Sequence, residues 1–263
     1  MPAAVPYTVV TPLWSDAAAK KRWIILPNDG SHNTASEDIV FDEEGSWTFP
    51  TGTVLVKHFE IATNANDPLR VKRLETRFLV CTAGGGKYGV TYRWNSGGTD
   101  ADLLTTGQSE NFSVTLPNGS TENRHWDYPS RADCMQCHTT ASGQALGVRT
   151  SPLNGNFYYD STGRTANQLA TFNSLGMFDH TLTTTELANF IESRAIGDTT
   201  APVEHRVRSY LDTNCARSAG PPRLTPDGDF RECRRGALGH LAPTACGHHP
   251  ARPVRSTTAP DGA

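Results

Sequence analysis

The stretch LETRFLVCTAGGGKYGVTYRW, residues 74–94, decides the fold. Its arms, 74–81 and 88–94, are rich in β-branched and aromatic residues, and the loop between them holds three consecutive glycines. That pattern predicts an antiparallel hairpin. Working outward, TVLVKHFEI (residues 53–61) is β-branched and partly alternating, and shorter apolar runs stand at 23–26, 39–41, 47–49 and 112–116. Turn signals such as Asp42-Glu43-Glu44-Gly45 and Pro117-Asn118-Gly119 separate them. Short strands at this spacing predict an N-terminal antiparallel β-sandwich or barrel-like domain over residues 1–128.

The period changes after Pro129. Leu169, Phe172 and Leu175 recur at helical spacing, as do Leu187, Phe190 and Ile191 after the cap-like Thr184-Thr185-Glu186. Val207, Tyr210 and Leu211 form a third stripe, with Glu204 and Arg208 at i,i+4. The expected class is therefore α+β, with a small α-helical domain over residues 129–216. The composition breaks again near residue 216. Residues 217–263 hold 7 Arg and 7 Pro but no Lys, Ile, Tyr or Trp, which predicts a disordered tail that cannot offset its ordering entropy by burial.

Several function classes are excluded or disfavoured at this level. A net charge of −3 gives no reason to expect nucleic acid. No run approaches the length of apolar chain that spans a bilayer, so a transmembrane segment is not expected. The opening MPAAVPYTVV has no basic start and no apolar core of a signal peptide. Six cysteines in 263 residues are too few and too uneven for a disulfide scaffold. Cys81 reads as a small buried hydrophobe in a strand. Trp14, Trp23, Trp47, Trp94 and Trp126 all precede the helical segment and read as β core, with an aromatic sugar-binding surface as the alternative.

One motif carries chemistry. Cys134-Met135-Gln136-Cys137-His138 matches C-x-x-C-H, the attachment sequence of c-type haem. Two thiols three positions apart on a helical turn reach the two vinyl groups of one porphyrin, and the adjoining histidine brings its nitrogen to the iron. A zinc half-site and a thioredoxin-like dithiol are the competing readings. Zinc needs a second ligand pair, and no other C-x-x-C or H-x-x-x-H is present. A redox dithiol belongs at the start of a helix in a βαβ unit, whereas Cys134 follows a Pro-Ser-Arg loop. Met177 is the candidate for the iron's other axial ligand, against His58, His125, His180 and His205 or an open site. Trp126, close to the motif, is the tryptophan expected to touch the macrocycle.

Segments spread along the chain add a resemblance. PYTVVTPLWSDAAAKKRWIILP, FPTGTVLVKHFE, RLETRFLVCT, YGVTYRWNSGGTDADLL, PSRADCMQCHT, ALGVRTSPLN and RSYLDTNCA occur in that order between Pro6 and Ala216. In this the chain resembles a family of largely uncharacterised bacterial c-type cytochromes usually described as dihaem. The resemblance implies an exported, periplasmic electron carrier, sometimes linked with quinoprotein-type dehydrogenases. It makes Cys134, Cys137 and His138 the first haem site. The family's second motif would begin at Cys215 and need a cysteine and a histidine where this chain has Ser218 and Ala219, so one covalent haem c is expected. The departure at Arg217 reads as an out-of-frame or decayed terminus. Two other functions remain open at this stage: a carbohydrate- or partner-binding β domain with an accessory haem, and a haem enzyme acting on peroxide.

Overall fold

Each strand of the main sheet pairs with its neighbours in sequence. The computed structural model describes residues 4–28, 34–140 and 142–214. Strands β1 (Val5–Tyr7), β2 (Ala19–Ile25), β3 (Val54–Ala62), β4 (Val71–Cys81), β5 (Lys87–Trp94) and β6 (Ala101–Leu103) form a six-stranded antiparallel meander in that order. The stretch 74–94 becomes the β4–β5 hairpin. Its turn runs through Gly84 and Gly85 at φ of +73° and +79°, a region that only glycine enters without strain. Strands β7 (Gln108–Thr115) and β8 (Thr121–Tyr128) make a separate hairpin, joined to the chain after β3 by an Asn64–Thr115 bridge. The strands are thus arranged as an open sheet plus a ribbon. Runs 39–41 and 47–49 do not become strands and meet only in an isolated Val40–Thr48 bridge.

Beyond β8 come α1 (Arg131–Cys137), α2 (Thr150–Leu153), β9 (Asn156–Tyr159), β10 (Arg164–Asn167), α3 (Gln168–Ser174), α4 (Thr184–Asn189) and α5 (Val203–Asn214). The described chain is mainly β with an antiparallel sheet and few helices, so a wholly helical segment after Pro129 is corrected by the β9–β10 hairpin. Phe157 and Tyr159 alternate with Asn156 and Tyr158 there, a four-residue signal too short to register against a helical window. In α3, Leu169 and Phe172 are fully buried as expected, while Leu175 caps the helix and stays exposed. In α4 the cap is Thr183, one residue earlier than expected, in a capping box with Glu186. In α5 the predicted stripe is not the packed face. Ser209 and Asp212 are buried instead, Asp212 in an ion pair with Arg149 and Ser209 accepting from the Arg194 N–H at 2.9 Å.

Period-2 alternation places Leu55, Lys57 and Phe59 of β3 on one face of the sheet. Their cross-strand partners are Ile24, Arg22 and Lys20 on β2 and Leu79, Arg77 and Glu75 on β4. Apolar side chains gather at the two ends of this face. The larger cluster joins Ile24, Leu55, Leu79 and Cys81 to Trp47, Phe172, Met177, Phe178 and Phe190, and so takes residues from both sides of Pro129. The smaller joins Phe59, Ile61 and Leu74 to Trp126 and Tyr128 of β8. The charged residues lie between them. Expectations on residues 217–263 and on Cys215 fall outside the described residues. No helix among the described residues is long and apolar enough to cross a membrane.

Candidate functional site

Helix α1 begins where β8 ends. Ser130 caps it, its hydroxyl accepting from the Asp133 N–H at 3.2 Å while the Asp133 carboxylate accepts from the Ser130 N–H at 2.9 Å. This capping box holds the Asp133 carboxyl below its ordinary range. Three residues set the geometry of the helix against the sheet. Cys134 comes down on Gly89 of β5, where an added Cβ would stand 2.7 Å from the Cys134 Cβ and 2.8 Å from its Sγ. A mid-strand glycine is costly in isolation. Here it admits the close approach of the helix. Thr91, two residues on and 2% exposed, faces the same thiol.

His138 closes α1, its N–H donating to the Cys134 carbonyl at 3.1 Å. Its Nδ1 lies 2.5 Å from the Gln144 carbonyl oxygen. A carbonyl can only accept, so Nδ1 is the protonated nitrogen and Nε2 carries the lone pair. Burial, reinforced by the nearby Lys57, Arg77 and Lys87 charges, pushes the imidazole down to about 4 against the pull of that carbonyl. The ring is therefore neutral at ordinary pH. The loop that presents the carbonyl is itself held: Gln144 takes a left-handed φ of 58°, and its side-chain oxygen accepts from Lys87 Nζ at 2.8 Å. Ser142 Oγ donates to the Cys137 carbonyl at 2.8 Å.

The sheet opposite the motif is basic. Tyr7, Arg22, Lys57, Arg77 and Thr91 stand directly opposite one another across β1 to β5. Arg77 donates to Glu75 through Nε at 2.9 Å and Nη2 at 2.5 Å, and Trp126 Nε1 donates to the same fully buried carboxylate at 3.0 Å. Lys57 and Arg77 also lie over the Phe59 ring, at 5.0 and 4.6 Å. Burial, with Arg22, Arg77 and Lys20 beside it, holds Lys57 well below its usual range. Lys20 is pushed down to about 8 by burial and by Arg22 and Arg77.

The structure brings Cys134, Cys137 and His138 together on one helix end and keeps Met177 in the larger apolar cluster, 3% exposed, with its carbonyl accepting from the Ile39 N–H at 2.9 Å. The competing histidines are engaged elsewhere. His58 Nδ1 meets Thr76 Oγ1 at 2.8 Å on the opposite face of the sheet, and His125 has both ring nitrogens on Asn111 and Asp127. His180 meets Asp179, and His205 the Glu192 carbonyl. Trp126 is tied to Glu75, Trp47 is core, and Trp14 is exposed.

The donor set bears on each of the three readings of the motif. Among the described residues no three His, Cys, Asp or Glu side chains converge to hold a bare metal ion. Cys134 sits in the fourth position of α1 beside Asp133, and burial pushes its thiol up even though Arg77 and Thr91 pull it back. An attacking dithiol needs the opposite shift. Covalent haem would need two cysteines three positions apart outside any disulfide and one neutral, oriented imidazole, and Cys134, Cys137 and His138 fit that need. Gly89, Gln144 and the cations of the sheet escaped the sequence reading. The available signal was charge at inward positions of KKRW and TVLVKHFEI, where alternation asks for apolar residues. Comparison with models of known protein families, with curated proteins and with solved structures finds no match.

Proposed function

We propose that this chain is a c-type cytochrome that carries one haem on Cys134, Cys137 and His138 and acts in electron transfer, accepting electrons from a periplasmic dehydrogenase of the quinoprotein type. The observation that carries the reading is the Nδ1–Gln144 carbonyl bond, which leaves His138 Nε2 as a neutral, oriented donor directly after two cysteines that are not joined in a disulfide. The order of residues from Pro6 to Ala216 that resembles dihaem cytochromes supports it. The haem, when bound, supplies a one-electron couple at its iron. The protein's own part is to hold Cys134 and Cys137 on α1 and to fix the imidazole. The segment 129–214 with the sheet beneath α1 then makes up the haem domain, and attachment of this kind places the protein outside the cytoplasm.

Met177 would supply the second protein donor to the iron. Its thioether is buried and of the type that raises a haem potential. Met177→Leu keeps the volume, so loss of the charge-transfer band of Met-ligated ferric haem would identify the ligand, and an unchanged spectrum would remove it. The whole reading is tested on protein matured in an export-competent host. An alkaline pyridine haemochrome spectrum of the thioether type is expected. Colourless protein with both thiols open to alkylation overturns the proposal.

A further inference from the structure

Four cations crowd one patch of the sheet. Lys20, Arg22, Lys57 and Arg77 lie on a single face of β2, β3 and β4, and Arg22, Lys57 and Arg77 are consecutive cross-strand partners. Like charges directly opposite one another are destabilising. The carboxylates at the patch are Glu75, bound to Arg77, and Asp16, which acts on Lys20. Among the described residues these two carboxylates are fewer than the four basic groups they serve. The row faces the motif: Arg77 is the cross-strand partner of Thr91, on the face of β5 where Gly89 meets Cys134. Arg77 keeps its Nη1 outside the Glu75 fork, and its side chain is 32% exposed. Gly89 and Thr91 are buried where they meet α1, and the partly exposed Arg77 borders them.

We propose that Arg22, Lys57 and Arg77, with Lys20 beside them, form the carboxylate-binding wall of the haem site and receive the two propionate groups of the porphyrin held by Cys134 and Cys137. The inference rests on the haem reading above and adds to it which side of the molecule closes the site. Two carboxylates would bring the negative charge that the row lacks. Guanidinium groups suit them because their planar forks match carboxylate geometry. In this arrangement the β-sheet is one wall of the haem pocket, and the charge row is a feature that only the loaded protein compensates.

The test uses haem-loaded protein and the variants Arg22→Gln and Lys57→Met, with Lys21→Gln on the opposite face as the control. Covalent haem content, read as pyridine haemochrome per folded protein, is expected to stay equal in all four. The midpoint potential should move negative in Arg22→Gln and Lys57→Met, because uncompensated propionates favour the ferric state, and the propionate methylene resonances should shift. Lys57→Arg should restore both, which separates charge from folding. Inorganic phosphate should leave the wild-type potential in place. Attached haem with potentials and resonances unchanged in Arg22→Gln and Lys57→Met overturns the wall and leaves the attachment standing. So does a potential that follows phosphate, since the row is then an open anion site. Wild-type protein that emerges without haem overturns the attachment itself.

Discussion

One face of the main sheet carries two kinds of surface. At its ends, Leu55 with Leu79 and Phe59 with Ile61 lead into apolar clusters whose large side chains are buried to a few per cent. At its middle, Arg22, Lys57 and Arg77 stand side by side with one carboxylate among them. The ends need nothing outside the chain, because each buried methylene contributes roughly 0.8 kcal/mol wherever the partner atoms come from. The middle is different. Burying charge costs free energy unless it is paired, and among the described residues the pairing is incomplete. The contrast teaches that the ends hold the fold together, while the middle carries charge that the described chain leaves partly unpaired.

The comparison can be broken most directly at the larger cluster. Phe172→Ala removes a fully buried ring that meets Trp47 and Phe178 edge-on, and should cost about 3–5 kcal/mol in urea unfolding. It should leave haem content per folded molecule unchanged. A comparable loss of haem attachment would show that the cluster and the site are not separable.

Next comes the single carboxylate of the row. Glu75→Gln keeps an acceptor for Trp126 but strips the charge from beside Arg77, and should destabilise by about 2–3 kcal/mol. An unchanged unfolding midpoint would mean that Arg77 is compensated from elsewhere. Gly89→Ala should cost about 1–3 kcal/mol, since the new methyl lands against Cys134 and α1 must shift. Faster alkylation of Cys134 in that variant checks the direction of movement.

The smallest effect depends on pH. Lys20 titrates at about 8 in the folded chain against 10.5 for the ordinary amine. Its folded form binds fewer protons than the unfolded form across that window, so the cost of burying its charge is full below about 8 and fades as pH rises toward 10.5. Lys20→Met should therefore stabilise haem-free protein at pH 7, by less than about 1 kcal/mol, and the advantage should vanish at high pH. Denaturation midpoints of the two proteins at both ends of the window decide it. A gain that persists at high pH would assign the effect to packing.

Much of the fold was legible because it is local. Alternation and a three-glycine loop gave away β3, β4 and β5, and the stripe of Leu169 and Phe172 gave away α3. The β9–β10 hairpin and the polar face of α5 were not legible, the first because four residues make a weak pattern and the second because Asp212 is buried by an arginine 63 residues away. The site divided in the same way. Cys134, Cys137 and His138 are contiguous and carry their own signature. Gln144 could not be named, since what it offers His138 is a backbone carbonyl, a group every residue possesses.

By itself the amino-acid order determined the strand periods, the helix start near Thr183, and the spacing of two thiols and an imidazole, because each is set within a turn or two of chain. Tertiary structure alone decided that the motif would lie over Gly89, that His138 would be neutral with one nitrogen committed, and that three cations from three strands would line up beneath it. These depend on strand register and on which face each side chain takes. Register is a property of paired chains, and a single strand read alone does not contain it.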